Sequence, residues 1–143
     1  RHVAELPRHH LRAGFLVHRR VGGEPLPRRE VYAYLKATDA VCVDVTLLSL
    51  ADRLATRGRK HGEAIAKHEE VIADLIGPAL DWHEQGPPPP LVRGDELARE
   101  LGRPRGPWLG EVLDEIAAAR YAGEIATRED ALRLARDAAP SPR

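Results

Sequence analysis

Seven histidines are the first candidates for chemistry. A neutral imidazole binds divalent metals, but two or three must converge on one point. His9 and His10 are adjacent, so a helix turns them to different faces. His61 and His68 are seven residues apart, two helical turns, too far to hold one ion by themselves. There is no His-Glu-x-x-His and no His-Asp pair. Asp44 and Asp52 share a helical face but also sit two turns apart. A nucleophile elbow, a phosphate loop and a Gly-rich dinucleotide turn are all missing. The expectation is therefore no catalytic residue, no metal ligands and no cofactor within this chain.

Cationic chemistry is better supplied. Residues 1–36 carry eight Lys/Arg against three Asp/Glu, a net +5, among them Arg8, Arg12, Arg19 and Arg20. Arg53, Arg57, Arg59 and Lys60 form a second basic cluster. Each cluster reads either as a solvated face or as a surface for phosphate. The sharpest local feature is Arg103-Pro-Arg-Gly-Pro-Trp-Leu-Gly110. It sets Arg103 and Arg105 beside the free backbone N–H groups of a helix start, and both attract the same anion.

The elements that must position these residues are helical, because apolar residues recur at helical spacing nearly throughout. One helix is expected over Pro7 to Arg19, burying a face of Leu11, Phe15 and His18. Gly22, Gly23, Pro25 and Pro27 end it. A second runs from Arg28 to Ala37 over Val31, Tyr34 and Leu35. Thr38 or Asp39 can cap a third through Val41, Val45, Leu48 and Leu54, stopped at Gly58. A fourth spans Gly62 to Glu84, and Gly77-Pro78 predicts a kink or break in it. The four prolines 87–90 must be extended and stiff, and they read as a hinge between residues 1–86 and 91–143. Beyond them come a short helix from Asp95 to Leu101 and a longer one from Pro107 to Ala122, with Pro107 suited to a first helical position. A last helix carries Ala131, Leu132 and Ala135, begun by a Thr127…Asp130 variant of the capping box. Pro140 to Pro142 ends the fold.

Composition sets the outer bounds. At 143 residues the chain can bury roughly 68–70% of its unfolded surface. Apolar residues at 43% and charged residues at 31% suit a folded globular protein. Lys+Arg and Asp+Glu balance at 22 each, which argues against a wholly basic wrapper of nucleic acid. Cys42 stands alone, so neither an intramolecular disulfide nor a multi-cysteine zinc site is available, and a reducing compartment fits. No apolar run approaches a membrane span. Aromatics are too scarce for a module that stacks several bases. There is no Met, and the opening residue is Arg1; these lead to the expectation of a piece cut from a longer protein.

Three segments form an ordered series: Pro90-Leu-Val-Arg-Gly-Asp-Glu-Leu97, Leu101-Gly-Arg-Pro-Arg-Gly-Pro-Trp-Leu-Gly110 and Tyr121-Ala-Gly-Glu-Ile-Ala-Thr-Arg-Glu-Asp-Ala131. Together they resemble the C-terminal region of bacterial tRNA nucleotidyltransferases, the CCA-adding and poly(A) polymerase family. Arg105-Gly106 departs from the family's usual Pro-Gly, and Trp108 is bulkier than its usual residue. Upstream, Asp44-Val-Thr-Leu-Leu-Ser-Leu-Ala-Asp-Arg-Leu54 resembles the closing helix of an HD-type helical region, with Asp52 at the position of a metal-binding Asp. The earlier HD ligands have no match. The family's catalytic Gly-Ser pair and its two carboxylates separated by one residue are also missing.

The resemblance implies an all-α chain: the end of an HD-like helical bundle, a proline hinge and a small helical tail. It implies tRNA as partner, held through the ten basic residues Arg8, Arg12, Arg19, Arg20, Arg53, Arg57, Arg59, Lys60, Arg103 and Arg105. It also implies a cytoplasmic parent polypeptide that transfers nucleotides from CTP and ATP with magnesium. The rival reading is part of an HD-type phosphohydrolase, with Asp52 and His10 completing a metal site. A third is a helical scaffold or dimerisation module.

Overall fold

The computed structural model describes residues 2–21, 23–56 and 61–138, with side chains for 5–21, 23–56 and 62–138; among them there is no strand, and the protein is all-α. The chain forms two compact units, Arg1–Pro87 and Pro88–Arg143, and Pro87 to Pro90 belongs to no helix. Among the described residues no helix is long and apolar enough to cross a membrane.

The first unit contains α1 (His2–His9), α2 (Arg12–Phe15), α3 (Arg28–Thr38), α4 (Cys42–Ala55) and α5 (His61–Gln85), with 3-10 turns at Leu16–Arg19 and Asp39–Val41. The single helix expected over Pro7 to Arg19 is thus broken into three short pieces. The break has a local cause. His10 Nδ1 lies 2.8 Å from the Pro7 carbonyl, the acceptor that a continuing helix would offer to the Leu11 N–H. Leu11 and Phe15, expected inside, are 54% and 70% exposed.

Between α3 and α4 neither Thr38 nor Asp39 acts as the expected cap. The Thr38 hydroxyl donates back to the Tyr34 carbonyl at 2.8 Å. Asp39 adopts a positive φ of 40°, a costly conformation for a residue with a Cβ. Its carboxylate accepts the Trp82 indole N–H at 3.1 Å, tying the joint to α5. Trp82 also meets Tyr32 edge to face, ring centroids 5.9 Å apart.

α4 packs along α5 and turns a polar stripe inward. Cys42, Val45, Thr46 and Ser49 are buried, whereas Leu48 and Leu54, expected in the core, are 40% and 50% exposed. α5 continues without a break through Gly77-Pro78 to Gln85. Leu75 and Ala79 on either side are fully buried and Trp82 nearly so, and this packing outweighs the hydrogen bond that Pro78 forfeits. The expected stop of α4 at Gly58 lies outside the described residues; α4 ends at Ala55, where the Thr56 N–H reaches the Arg53 carbonyl at 3.2 Å.

The second unit follows its sequence signals closely. It holds α6 (Gly94–Glu100), α7 (Pro107–Ala122) and α8 (Arg128–Ala138) around a core of Val92, Leu97, Val112, Ile116, Ala131, Leu132 and Ala135. Pro107 opens α7, and Gly123 closes it in the left-handed region at φ 80°. The Thr127 hydroxyl accepts the Asp130 N–H, and Asp130 Oδ2 accepts the Thr127 N–H, each at 3.1 Å. That is the reciprocal capping box, built with the shorter acid. The expected end at Pro140 to Pro142 lies outside the described residues.

Candidate nucleic-acid interface

The basic residues of the first unit are not equivalent. Arg8, on α1, is 74% exposed beside Glu5 at 3.8 Å. Arg12 Nε donates to His9 Nδ1 at 2.8 Å, and Arg19 lies 3.6 Å from Glu30. Arg12 and Arg19 line one cleft of about 240 Å³ with Phe15 and Tyr34. Arg20 is differently placed. Only 15% exposed, it donates from Nε to Asp74 Oδ2 at 2.8 Å and from Nη1 to Glu70. The same Asp74 oxygen accepts the Leu26 N–H at 2.9 Å. Two carboxylates offset the Arg20 charge, so its role here is to hold the segment before α3 onto α5. Arg57, Arg59 and Lys60 lie outside the described residues.

Arg53 stands in the last turn of α4, on a cleft of about 360 Å³ that it shares with Gly14, His18, Glu63 and Lys67. Sequence reasoning missed His18 and Lys67 as members of a basic site. Lys67 is four residues after Glu63 and reads as an ordinary helix-surface pair; the two are indeed 2.6 Å apart. Neither spacing nor composition signals that the turn Leu16–Arg19 faces them.

Beneath this surface runs the polar seam of α4. Thr46 spends its single hydroxyl proton on the Cys42 carbonyl at 2.7 Å. The Tyr34 hydroxyl, 2.8 Å away, therefore donates to Thr46, and burial pushes the Tyr34 pKa up to about 12. Cys42 donates its S–H to the Ala79 carbonyl at 3.3 Å, and burial raises its pKa. Ser49 Oγ lies 3.0 Å from His68 Nε2. His68 is 2% exposed, and its Nδ1 has no hydrogen-bond partner among the described residues. Burial, and then the nearby Arg53 charge, lower its pKa.

In the second unit the turn before α7 is braced by the residue that departs from the resemblance. Trp108 Nε1 donates to the Pro104 carbonyl at 2.9 Å, and the Arg103 guanidinium lies 4.5 Å from the Trp108 ring centroid. The indole thus folds back over the turn and positions Arg103 by a cation–π contact. Arg105 is exposed on the same turn. Other residues of the ordered series have structural roles. Gly94 lets α6 approach α7, since a Cβ there would come within 3.2 Å of Leu113 Cδ1. Arg128 binds Glu96 at 2.7 Å and Glu100 at 2.9 Å, tying α8 to α6.

The residues named for a metal do not come together. Asp52 is exposed, and His10 is engaged with the Pro7 carbonyl. Among the described residues no group of three or more His, Cys, Asp or Glu could hold an ion. The described side chains of Asp52 and His10 do not by themselves fit the HD metal.

The chain is 31% identical over 122 residues to a CC-adding tRNA nucleotidyltransferase of Thermus thermophilus, covering 84% of this chain and 26% of that protein. It is 34% identical over 130 residues to an A-adding tRNA nucleotidyltransferase of Deinococcus radiodurans, covering 91% of this chain and again 26% of the relative. A stretch of 44 residues is 48% identical to an A-adding tRNA nucleotidyltransferase of Geobacter sulfurreducens. The chain spans about a quarter of the length of the first two relatives. No protein-family model and no solved structure matches it.

Proposed function

We propose that this chain, which aligns over most of its length with CC-adding and A-adding tRNA nucleotidyltransferases, is the RNA-holding C-terminal region of such an enzyme. Its first unit would be the end of an HD-like helical region and its second unit a small helical tail. The alignment with CC-adding and A-adding relatives over most of the chain carries this reading. Nucleotide transfer from CTP and ATP with magnesium would be the work of the remainder of the parent polypeptide. On this reading the protein works in the cytoplasm, and its partner is tRNA.

The basic residues grip phosphate, and recognition is by backbone and shape, since aromatic stacking surfaces are few. Arg8, Arg12, Arg19, Arg53, Arg103 and Arg105 are the described contributors; Arg57, Arg59 and Lys60 extend the set, and Arg20 leaves it. Binding is then insensitive to base sequence and steeply dependent on salt. Removing one cation from a phosphate reduces the slope of log affinity against log salt by roughly 0.7–0.9. The test is a tRNA titration at several salt concentrations with wild type and Arg103→Ala/Arg105→Ala. A weaker, flatter salt response in the variant is expected. Equal affinities at every salt would remove the turn from the RNA surface, and no binding by wild type at low salt would favour a scaffold.

A further inference from the structure

The cleft beside Arg53 has features that a solvated basic face does not need. Three elements converge on it: Gly14 and His18 from α2 and the 3-10 turn after it, Arg53 from the last turn of α4, and Glu63 and Lys67 from the start of α5. Its volume of about 360 Å³ is at the small end of ligand sites. The cations come from separate elements, so their spacing is fixed by the packing of the unit rather than by one helix's period. Behind the wall, His68 is 2% exposed, and its Cε1 lies 3.8 Å from where a Cβ on Gly14 would stand. Its Nδ1, one bond from that carbon, is a buried polar atom without a partner among the described residues.

We infer that this cleft is a phosphate-binding subsite gripped by Arg53 and Lys67, with His18 at its edge, and that its occupant is a backbone phosphate of the bound RNA. The inference rests on the RNA-holding reading and adds to it a defined pocket and two residues, His18 and Lys67. Glu63 is the obstacle, because it puts a carboxylate into the same cleft, 2.6 Å from Lys67. That pair is 72% and 58% exposed, so water screens it and little is lost when it opens. An arriving phosphate therefore replaces Glu63 as the partner of Lys67. Phosphate offers more acceptor oxygens than a carboxylate and can be shared between Lys67 and Arg53. Glu63 acts as a placeholder, and removing it should improve binding rather than weaken it.

The whole 143-residue chain serves for the experiment, with folding of each variant checked by circular dichroism. Wild type, Arg53→Ala/Lys67→Ala and Glu63→Gln are titrated with inorganic phosphate, followed by amide NMR, and separately with tRNA. Phosphate should shift the amides of Gly14, Ala64 and Lys67. The double variant loses both charge-assisted partners and should bind phosphate more than about tenfold more weakly. Glu63→Gln should bind both phosphate and tRNA more tightly than wild type. No amide shift in the cleft, or weaker binding by Glu63→Gln, overturns the subsite. If tRNA binds wild type and the double variant equally, the subsite fails while the RNA-holding reading stands. If phosphate occupies the cleft and wild type binds no tRNA, the RNA-holding reading fails and the cleft is a site for free phosphate instead.

Discussion

Ser49 Oγ and His68 Nε2 meet at 3.0 Å in the buried seam between α4 and α5, and the burial of that imidazole is expected to make the first unit sensitive to acid. Burial, and then Arg53, hold the His68 pKa below its ordinary value of 6.5. The unfolded chain, with an ordinary imidazole, then binds more protons than the folded one between the lowered pKa and 6.5. In that window stability rises with pH and is lost as pH falls below 6.5. Thermal melts from pH 8 to 5 should show the melting temperature of wild type falling on acidification. His68→Gln removes the titrating ring, and its melting temperature should change less over the same range. Parallel pH profiles for the two proteins would assign the sensitivity to other groups.

Arg20 should behave as a structural cation. Truncating it leaves Asp74, 15% exposed, without its main partner. Arg20→Ala is expected to destabilise the first unit by about 1.5–3 kcal/mol, the range for hydrogen bonds to charged groups. Asp74→Asn should cost a similar amount, and a double-mutant cycle in urea should show the two to be coupled. The tRNA affinity of folded Arg20→Ala should match that of wild type. A drop comparable to that of Arg53→Ala would return Arg20 to the RNA surface.

The second unit was legible in the sequence because its signals are local. Pro107, Gly123 and Thr127 mark helix ends by their own backbone chemistry, and each acts at its marked place. The first unit was less legible, because its decisive contacts join residues far apart in sequence. On α4 the leucines at 48 and 54 suggested the inner face. The inner face is instead set by Cys42, Thr46 and Ser49, polar groups that can be buried because Ala79, Tyr34 and His68 satisfy them. Hydrophobic period carries no information about such pairings. The same holds at the candidate site: the charge count found Arg53, but only the fold places His18 and Lys67 beside it. The ordered series in the tail pointed to the family, yet Gly94 and Arg128 within it pack and pair rather than face a ligand.

The cap of α8 gives a separate stability test in the second unit. Thr127→Ala removes the acceptor of the Asp130 N–H and should cost about 1 kcal/mol, or 0.5–2 at the limits. Asp130 has its pKa held down to about 2, first by the Ala126 N–H and then by Thr127 and Arg133. A depressed carboxyl pKa stabilises the fold above the unfolded value near 3.8, and that stabilisation is lost as pH falls towards 2. Carboxyl NMR titration should find Asp130 still ionised at pH 3. A normal midpoint near 3.8 would show that the reciprocal cap does not persist in solution.

The last test concerns Trp108, whose indole both anchors the turn and holds Arg103. The ring centroid lies 4.5 Å from the guanidinium carbon, and the N–H reaches the Pro104 carbonyl. Protons of the Arg103 side chain should therefore resonate upfield, and that displacement should vanish in Trp108→Ala. Trp108→Phe keeps an aromatic face but loses the hydrogen bond, so it should retain part of the displacement. If the turn contributes to tRNA binding through a positioned Arg103, Trp108→Ala should weaken binding even though indole itself is uncharged. Arg103→Ala should weaken it comparably, and the double variant should be little worse than either, because both changes disable the same interaction. Additive effects would mean that Trp108 meets RNA in its own right, by stacking on a base. Unchanged affinity in Trp108→Ala, with the upfield shift gone, would mean that Arg103 needs no such positioning.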